Sequence, residues 1–212
     1  MNGTEQTVDV PIGNITLEGT LAVPTDPTGI VLFAHGSGSS RHSPRNNAVA
    51  EVLRENGLAT FLFDLLTEAE DVVRNSRFDI SLLTRRLVGT TQWVNRHETA
   101  GALSTGYFGS STGAAAALQA ASDEETDIDA VVSRGGRVDM ASQTTLQLDA
   151  PCLFIVGGED REVLKLNRET FEKLSCEKRL AIIEGAGHLF EGPGQLEEVA
   201  ELAAEWFTTH LQ

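Results

Sequence analysis

The chain is punctuated by continuous apolar runs that stop at small or polar residues: GIVLFAHG, LATFLFDLL, ALSTGYFGSS, IDAVVSRGG, APCLFIVGGED and KRLAIIEGAGH. A strand that is apolar throughout needs cover on both faces, which parallel strands between two helical layers receive. The segments between them have helical spacing. NNAVAEVLRENG closes on Gly57 as a C-cap, and FDISLLTRRLVGTTQWVNRH places Ile80, Leu83, Leu87, Val88 and Trp93 on one stripe. TGAAAALQAAS, EVLKLNRETFEKLS and GQLEEVAELAAEWFTTHL continue the alternation. Only the beginning departs from it: QTVDVPI and ITLEGTLAVP alternate apolar and polar residues around Gly13-Asn14, the pattern of an antiparallel hairpin. The expected fold class is α/β, a mostly parallel, doubly wound sheet with an antiparallel N-terminal strand. No repeat or long linker divides the 212 residues, so residues 1–212 are expected to form one domain.

Charge narrows the partners. Thirty-one acidic residues face 16 basic ones, a net charge of -15, which disfavours nucleic acid or an anionic membrane and leaves a small molecule as the expected partner. Lys165, Lys173 and Lys178 are the only lysines; such a surface suits either a salty cytoplasm or an ordinary acidic soluble protein. The start MNGTEQTVDV has neither a basic nor an apolar leader, and no run nears the roughly 18 apolar residues of a membrane span, so a cytoplasmic protein is expected, monomer or homodimer. Cys152 and Cys176 lack metal-ligand spacing and read as isolated free thiols. No metal or cofactor is called for.

In open α/β sheets, ligands collect beyond the carboxyl ends of the strands. One such end holds Gly109-Ser110-Ser111-Thr112-Gly113, a G-x-S-x-G match where a strand gives way to a helix. A sharp strand-to-helix turn brings backbones together at both glycines and presents Ser111 above the sheet. The same glycines in a turn that only packs are the alternative. A phosphate loop is excluded because Ala114 stands where its lysine would be. A serine nucleophile needs a base and an acid to orient that base, in the order Ser, Asp, His; Asp160 ends FIVGGED and His188 sits in EGAGHLF. Asp160 also fits a helix N-cap, and Glu159 is its rival as the acid. The oxyanion donors expected are the N–H of Thr112 and, from HGSGSS, that of Ser37, with Gly38 possible by an offset of one. His97 and His210 read as surface residues near helix ends.

VLFAHGSGSS, FGSSTGAAAAL, VGGEDREV and GAGHLF together resemble the α/β-hydrolase superfamily over nearly the whole chain, and the compact arrangement is similar to its dienelactone-hydrolase-like branch. AVVSRGGRVDMA and FDLLTEAEDVVRNSRFDISLL also resemble small serine hydrolases found fused to phosphoribosyltransferase domains. The resemblance implies a three-layer α/β-hydrolase fold and a serine esterase, in which Ser111 attacks an acyl carbonyl, His188 is general base and Asp160 orients it. Dienelactone hydrolase proper uses cysteine, so lactone specificity does not carry over to Ser111; thioester cleavage, acyl transfer, lactone hydrolysis and a sensor role remain alternatives. Only SRGGRVDMASQTTLQLD separates IDAVV from APCLFIV, which leaves no room for a cap domain. Phe190 beside His188 is expected to line an acyl pocket or to pack in the core. Arg41, Arg45, Arg134 and Arg137 are expected on loops at the catalytic edge, either recognising an anionic substrate with His42 assisting or paired to acidic neighbours.

Overall fold

Six-residue apolar segments with every side chain buried make up Gly29–Ala34 (β3), Leu58–Phe63 (β4) and Cys152–Gly157 (β7). The computed structural model describes residues 3–142, 145 and 147–212. With Gly3–Ile12 (β1), Ile15–Pro24 (β2), Ser104–Ser110 (β5), Ala130–Arg134 (β6) and Lys178–Ile183 (β8), these strands form one sheet in the order β1-β2-β4-β3-β5-β6-β7-β8. β1 and β2 form the expected hairpin, with Ile12 paired to Ile15 across a turn that sets Gly13 at φ 60°. β2 also runs antiparallel to β4, and every later pairing is parallel.

The helices divide between the two faces. Pro44–Glu55 (α1) buries Val49, Ala50 and Leu53, and Gln195–His210 (α7) buries Val199, Ala203 and Phe207, against Phe33, Phe108, Val132 and Leu153. The other face takes Ile80–Val94 (α4) through Leu83 and Leu87, and Thr112–Ala121 (α5) through its alanines. Arg161–Lys173 (α6) adds Val163 and Leu164 against Val156. At about 25 cal/mol per Å2 of apolar area removed from water, each large buried side chain contributes roughly 1.5–3 kcal/mol. The two continuous cores therefore hold the strand ends in fixed register, and with them the loops that carry the polar residues.

Three details were not expected. DLLTEAEDVVRNSRFD folds into two short helices, Glu68–Asp71 (α2) and Arg74–Arg77 (α3). Thr67 and Glu70 close a capping box on α2, and Arg77 ties back to Asp71, so this strip stands firm beside Gly38. Second, Cys152 and Cys176 are not isolated. Both are free thiols, but each acts on the other: Cys152, whose Sγ donates to Ala150 C=O at 3.3 Å, is raised by Cys176 and by burial, and Cys176 is lowered by Cys152. Third, between β6 and β7 the described residues include a 3-10 turn at Val138–Met140, which packs against α5 and α6. No helix among the described residues is long and apolar enough to cross a membrane.

Candidate active site

β5 turns into α5 through Ser111, whose backbone sits at φ 52°, ψ -119°. An L-residue is strained there, by of order 1–3 kcal/mol, so the surroundings must impose the conformation. They do so by close approach. A Cβ on Gly113 would stand 2.1 Å from the Ala34 carbonyl oxygen, and one on Gly109 would stand 2.5 Å from Ala114 Cα. Backbone bonds clamp the turn from β6: Ser111 N–H donates to Arg134 C=O at 3.1 Å, and Arg137 N–H donates to Ser111 C=O at 2.9 Å.

Two further loops converge on this turn. Gly158 N–H donates to Ile183 C=O and Glu159 N–H to Ala186 C=O, lacing the loop after β7 to the loop after β8. That lacing brings Asp160 Oδ2 to 2.6 Å from His188 Nδ1, while His188 Nε2 lies 3.3 Å from Ser111 Oγ. A Cβ on Gly135 would stand 3.5 Å from the same imidazole. Asp160 occupies the N-cap position of α6, yet its side chain makes no capping bond; the carboxylate faces His188 instead. Glu159 is exposed and pairs with Arg161 at 3.7 Å. The expected Ser111, Asp160 and His188 are thus brought together, and Glu159 is not part of the group. His97 packs against Trp93 and His210 against Trp206.

The expected second oxyanion donor has a partner of its own. Ser37 N–H is already engaged, donating to Thr112 Oγ1 at 2.9 Å. Thr112 therefore contributes a hydroxyl that fastens the loop after β3, besides its own N–H at the first position of α5. Gly36 allows the contact, since a Cβ there would come within 3.1 Å of Ser111 Cβ. Gly38 takes φ 72° in the same loop. His35 supports it from below: Leu65 N–H donates to its Nε2 at 3.0 Å, which leaves the proton on Nδ1 to donate to Gly36 C=O at 3.0 Å. Burial lowers the pKa of His35 and keeps the ring neutral. Asn167, on the buried face of α6, gives its amide to Gly136 C=O and Val163 C=O, both at 2.8 Å, and so fixes the loop that carries Gly135. His35, Asn167 and the Thr112 hydroxyl were missed from sequence; the one available signal was a polar residue inside an apolar stripe.

The residues expected to bind substrate separate in the structure. Arg41 is held by Asp64 and, at 2.6 Å, by Glu18, and Arg137 by Asp139 at 2.8 Å. Each of these guanidiniums thus has a carboxylate partner, as the alternative reading expected. Phe190 does not line a pocket: at 3% exposure it packs in the α1/α7 core. His42 donates its N–H to Ser40 Oγ on a loop beside Arg41. Arg45 lies in the first turn of α1 rather than on a loop, and pairs with the exposed Glu191 at 3.1 Å. Arg134 is not on a loop either. It ends β6, is 8% exposed, and its Nη1 is buried without a hydrogen-bond partner among the described residues. Its guanidinium lies 6.0 Å from the centre of the Phe108 ring, a contact worth about 0.5–2 kcal/mol. Burying a charge without an ionic partner costs several kcal/mol, so that ring offsets only part of the cost.

A nucleophile elbow, a carboxylate and an imidazole on the loops after β5, β7 and β8, at the C-terminal edge of such a sheet, are what a hydrolase of this architecture carries. Residues 17–211 match the model of the dienelactone hydrolase family. The chain belongs to that family. Dienelactone hydrolase from Anabaena variabilis is 51% identical, with a TM-score of 0.96 and coverage of 99% of both chains. Two Mycobacterium tuberculosis proteins with a provisional phosphoribosyl transferase name are 51% identical over 207 residues, which is 98% of this chain and 47% of theirs. The chain therefore spans about half the length of these curated relatives. Est1E from Butyrivibrio proteoclasticus shares the fold at 16% identity and a TM-score of 0.82. The α/β-hydrolase fold expected from the resemblance is thus the fold of this dienelactone hydrolase family member.

Proposed function

We propose that the protein is a serine hydrolase of small carboxylic esters, working through an acyl-enzyme on Ser111. The observation that carries the reading is the relay Asp160 Oδ2, His188, Ser111 Oγ, with separations of 2.6 Å and 3.3 Å. With its proton on Nδ1 held by Asp160, His188 offers a bare Nε2 to the serine hydroxyl. Ser111 Oγ attacks the acyl carbon as its proton passes to Nε2. The carbonyl oxygen becomes an oxyanion held by Thr112 N–H and by Ser37 N–H, shared with the Thr112 hydroxyl. Collapse breaks the ester C–O bond, and the imidazolium returns the proton to the departing alkoxide, releasing the alcohol. Water, deprotonated by His188 in the same way, then displaces Ser111 and frees the acid.

The strained Ser111 backbone supports this reading over a turn that only packs, because a merely structural turn has no use for an L-residue at φ 52° where glycine would fit without strain. A fluorophosphonate probe tests it: the native protein is expected to label at Ser111 and to lose labelling in His188→Ala, whereas an unlabelled native protein would support a non-catalytic binding role.

A further inference from the structure

Cys152 opens β7, and Cys176 lies in the bend that leads from α6 into β8. The sheet register brings them together. Cys152 pairs with Lys178, and its N–H donates to the Glu177 carbonyl at 2.9 Å, so Cys176 is the residue next to that carbonyl. Both side chains pack on one core, the one that also takes α4 and α5. Cys152 is fully buried there, whereas Cys176 is half-buried and keeps a face to solvent. The catalytic edge is remote: β7 runs from Cys152 to Gly157, roughly 17 Å at about 3.3 Å per residue, before Asp160 is reached. The surroundings of Cys176 favour a thiolate. Lys178, two residues on, is held in place because its Nζ donates to the carbonyls of Phe171, at 2.6 Å, and Leu174. Cys152 first, then the Cys176 backbone N–H and the Lys178 charge, lower the Cys176 thiol to about 7, against partial burial and Asp149. Glu177, the adjoining carboxylate, is paired with His210 at 3.5 Å.

We propose that Cys176 is a peroxide-reactive thiol and Cys152 its resolving partner, so that a hydroperoxide converts the two reversibly into a disulfide. The Cys176 thiolate attacks the distal oxygen of the hydroperoxide, and the O–O bond breaks. The sulfur, oxidised by two electrons, becomes a sulfenic acid, and the departing alkoxide or hydroxide takes a proton from water. Cys152 Sγ then attacks the Cys176 sulfur. The S–O bond breaks, and hydroxide leaves with the Cys152 proton as water. The first step also removes the thiolate neighbour whose influence, with burial, holds the Cys152 thiol up, which readies Cys152 for the second. The disulfide closes a ring that contains all of α6, and a thiol reductant reopens it. Neither sulfur takes part in the serine-hydrolase reading.

The test needs no ester. The reduced chain is exposed to hydrogen peroxide at about pH 7.5, unfolded in N-ethylmaleimide and weighed by mass spectrometry, and digestion then locates any link. The native protein is expected to lose two hydrogens, to take up no maleimide, and to yield joined peptides carrying Cys152 and Cys176. Dithiothreitol should restore both alkylation sites. With dimedone present during oxidation, Cys152→Ala is expected to carry the adduct on Cys176, where the sulfenic acid has lost its partner. In Cys176→Ser, Cys152 is expected to react with peroxide about tenfold or more slowly than Cys176 does in the native chain. The native protein alone decides the first result, so that result does not depend on how well either variant folds. A native chain whose thiols both stay alkylatable would overturn the proposal. So would Cys176 passing to the sulfinic acid while Cys152 remains free, or disulfides that join separate chains.

Discussion

Asp160 stands at the N-cap of α6, yet its side chain accepts no hydrogen bond from that helix; its Oδ2 faces His188 Nδ1 at 2.6 Å. A capping aspartate typically contributes about 1 kcal/mol to its helix, so at this position a structural contribution has been given up for one to the imidazole. Asp160→Asn is therefore expected to change thermal stability little while lowering kcat by about 10³–10⁴-fold through the wrong histidine tautomer. Ester turnover and a melting curve on the same preparation check both halves.

Ser111 gives a prediction of opposite sign for stability and activity. With its backbone at φ 52°, Ser111→Gly relieves strain that glycine does not suffer. Urea denaturation is expected to show a gain of about 1 kcal/mol, with turnover abolished. A loss of stability would mean that the Ser111 side chain contributes packing that its 3.3 Å contact with His188 does not suggest.

The bond from Ser37 N–H to Thr112 Oγ1 makes the hydroxyl, and not the size of the side chain, the feature that holds the oxyanion loop. Thr112→Val should lower kcat/KM by about tenfold or more by loosening a donor placed for the transition state. Thr112→Ser should retain most of it. Equal activity in both variants would assign the Thr112 side chain to packing alone.

His35 couples stability to pH. Burial lowers its pKa in the folded protein, against slight raising effects from the Gly36 carbonyl and Asp64, while the unfolded chain titrates near 6.5. The unfolded state thus binds more protons at mildly acid pH. The contribution is fully present above about pH 6.5 and is lost as pH falls below it, by up to about 1.4 kcal/mol per pH unit. Denaturant titrations at several pH values are expected to show a steeper acid decline in the native protein than in His35→Gln, whatever the variant's starting stability.

Periodicity revealed the sheet because buried parallel strands need unbroken apolar runs, and chain order singled out Ser111, Asp160 and His188, which the fold brings together, because each follows such a run. Other features depend on how loops distant in sequence approach. Ser37 and Thr112 are 75 residues apart, so the engagement of the Ser37 amide could not be read from either segment. Phe190 looked available for an acyl group because it neighbours His188, but the left-handed turn at φ 54° directs it into the α1/α7 core. All four arginines read alike in sequence; Arg41 and Arg137 met carboxylates within hydrogen-bonding distance, and Arg134 met a phenylalanine ring.

The most direct test of the assignment of Ser111 is to mix the native protein with p-nitrophenyl acetate, quench during the first turnovers in acid, and map the acylated peptide by mass. An acetyl group on Ser111, absent when His188 is replaced by alanine, is the predicted result. Hydrolysis that proceeds at the native rate in Ser111→Ala, or an acetyl group that accumulates on Ser110 or Cys176 instead, would contradict it.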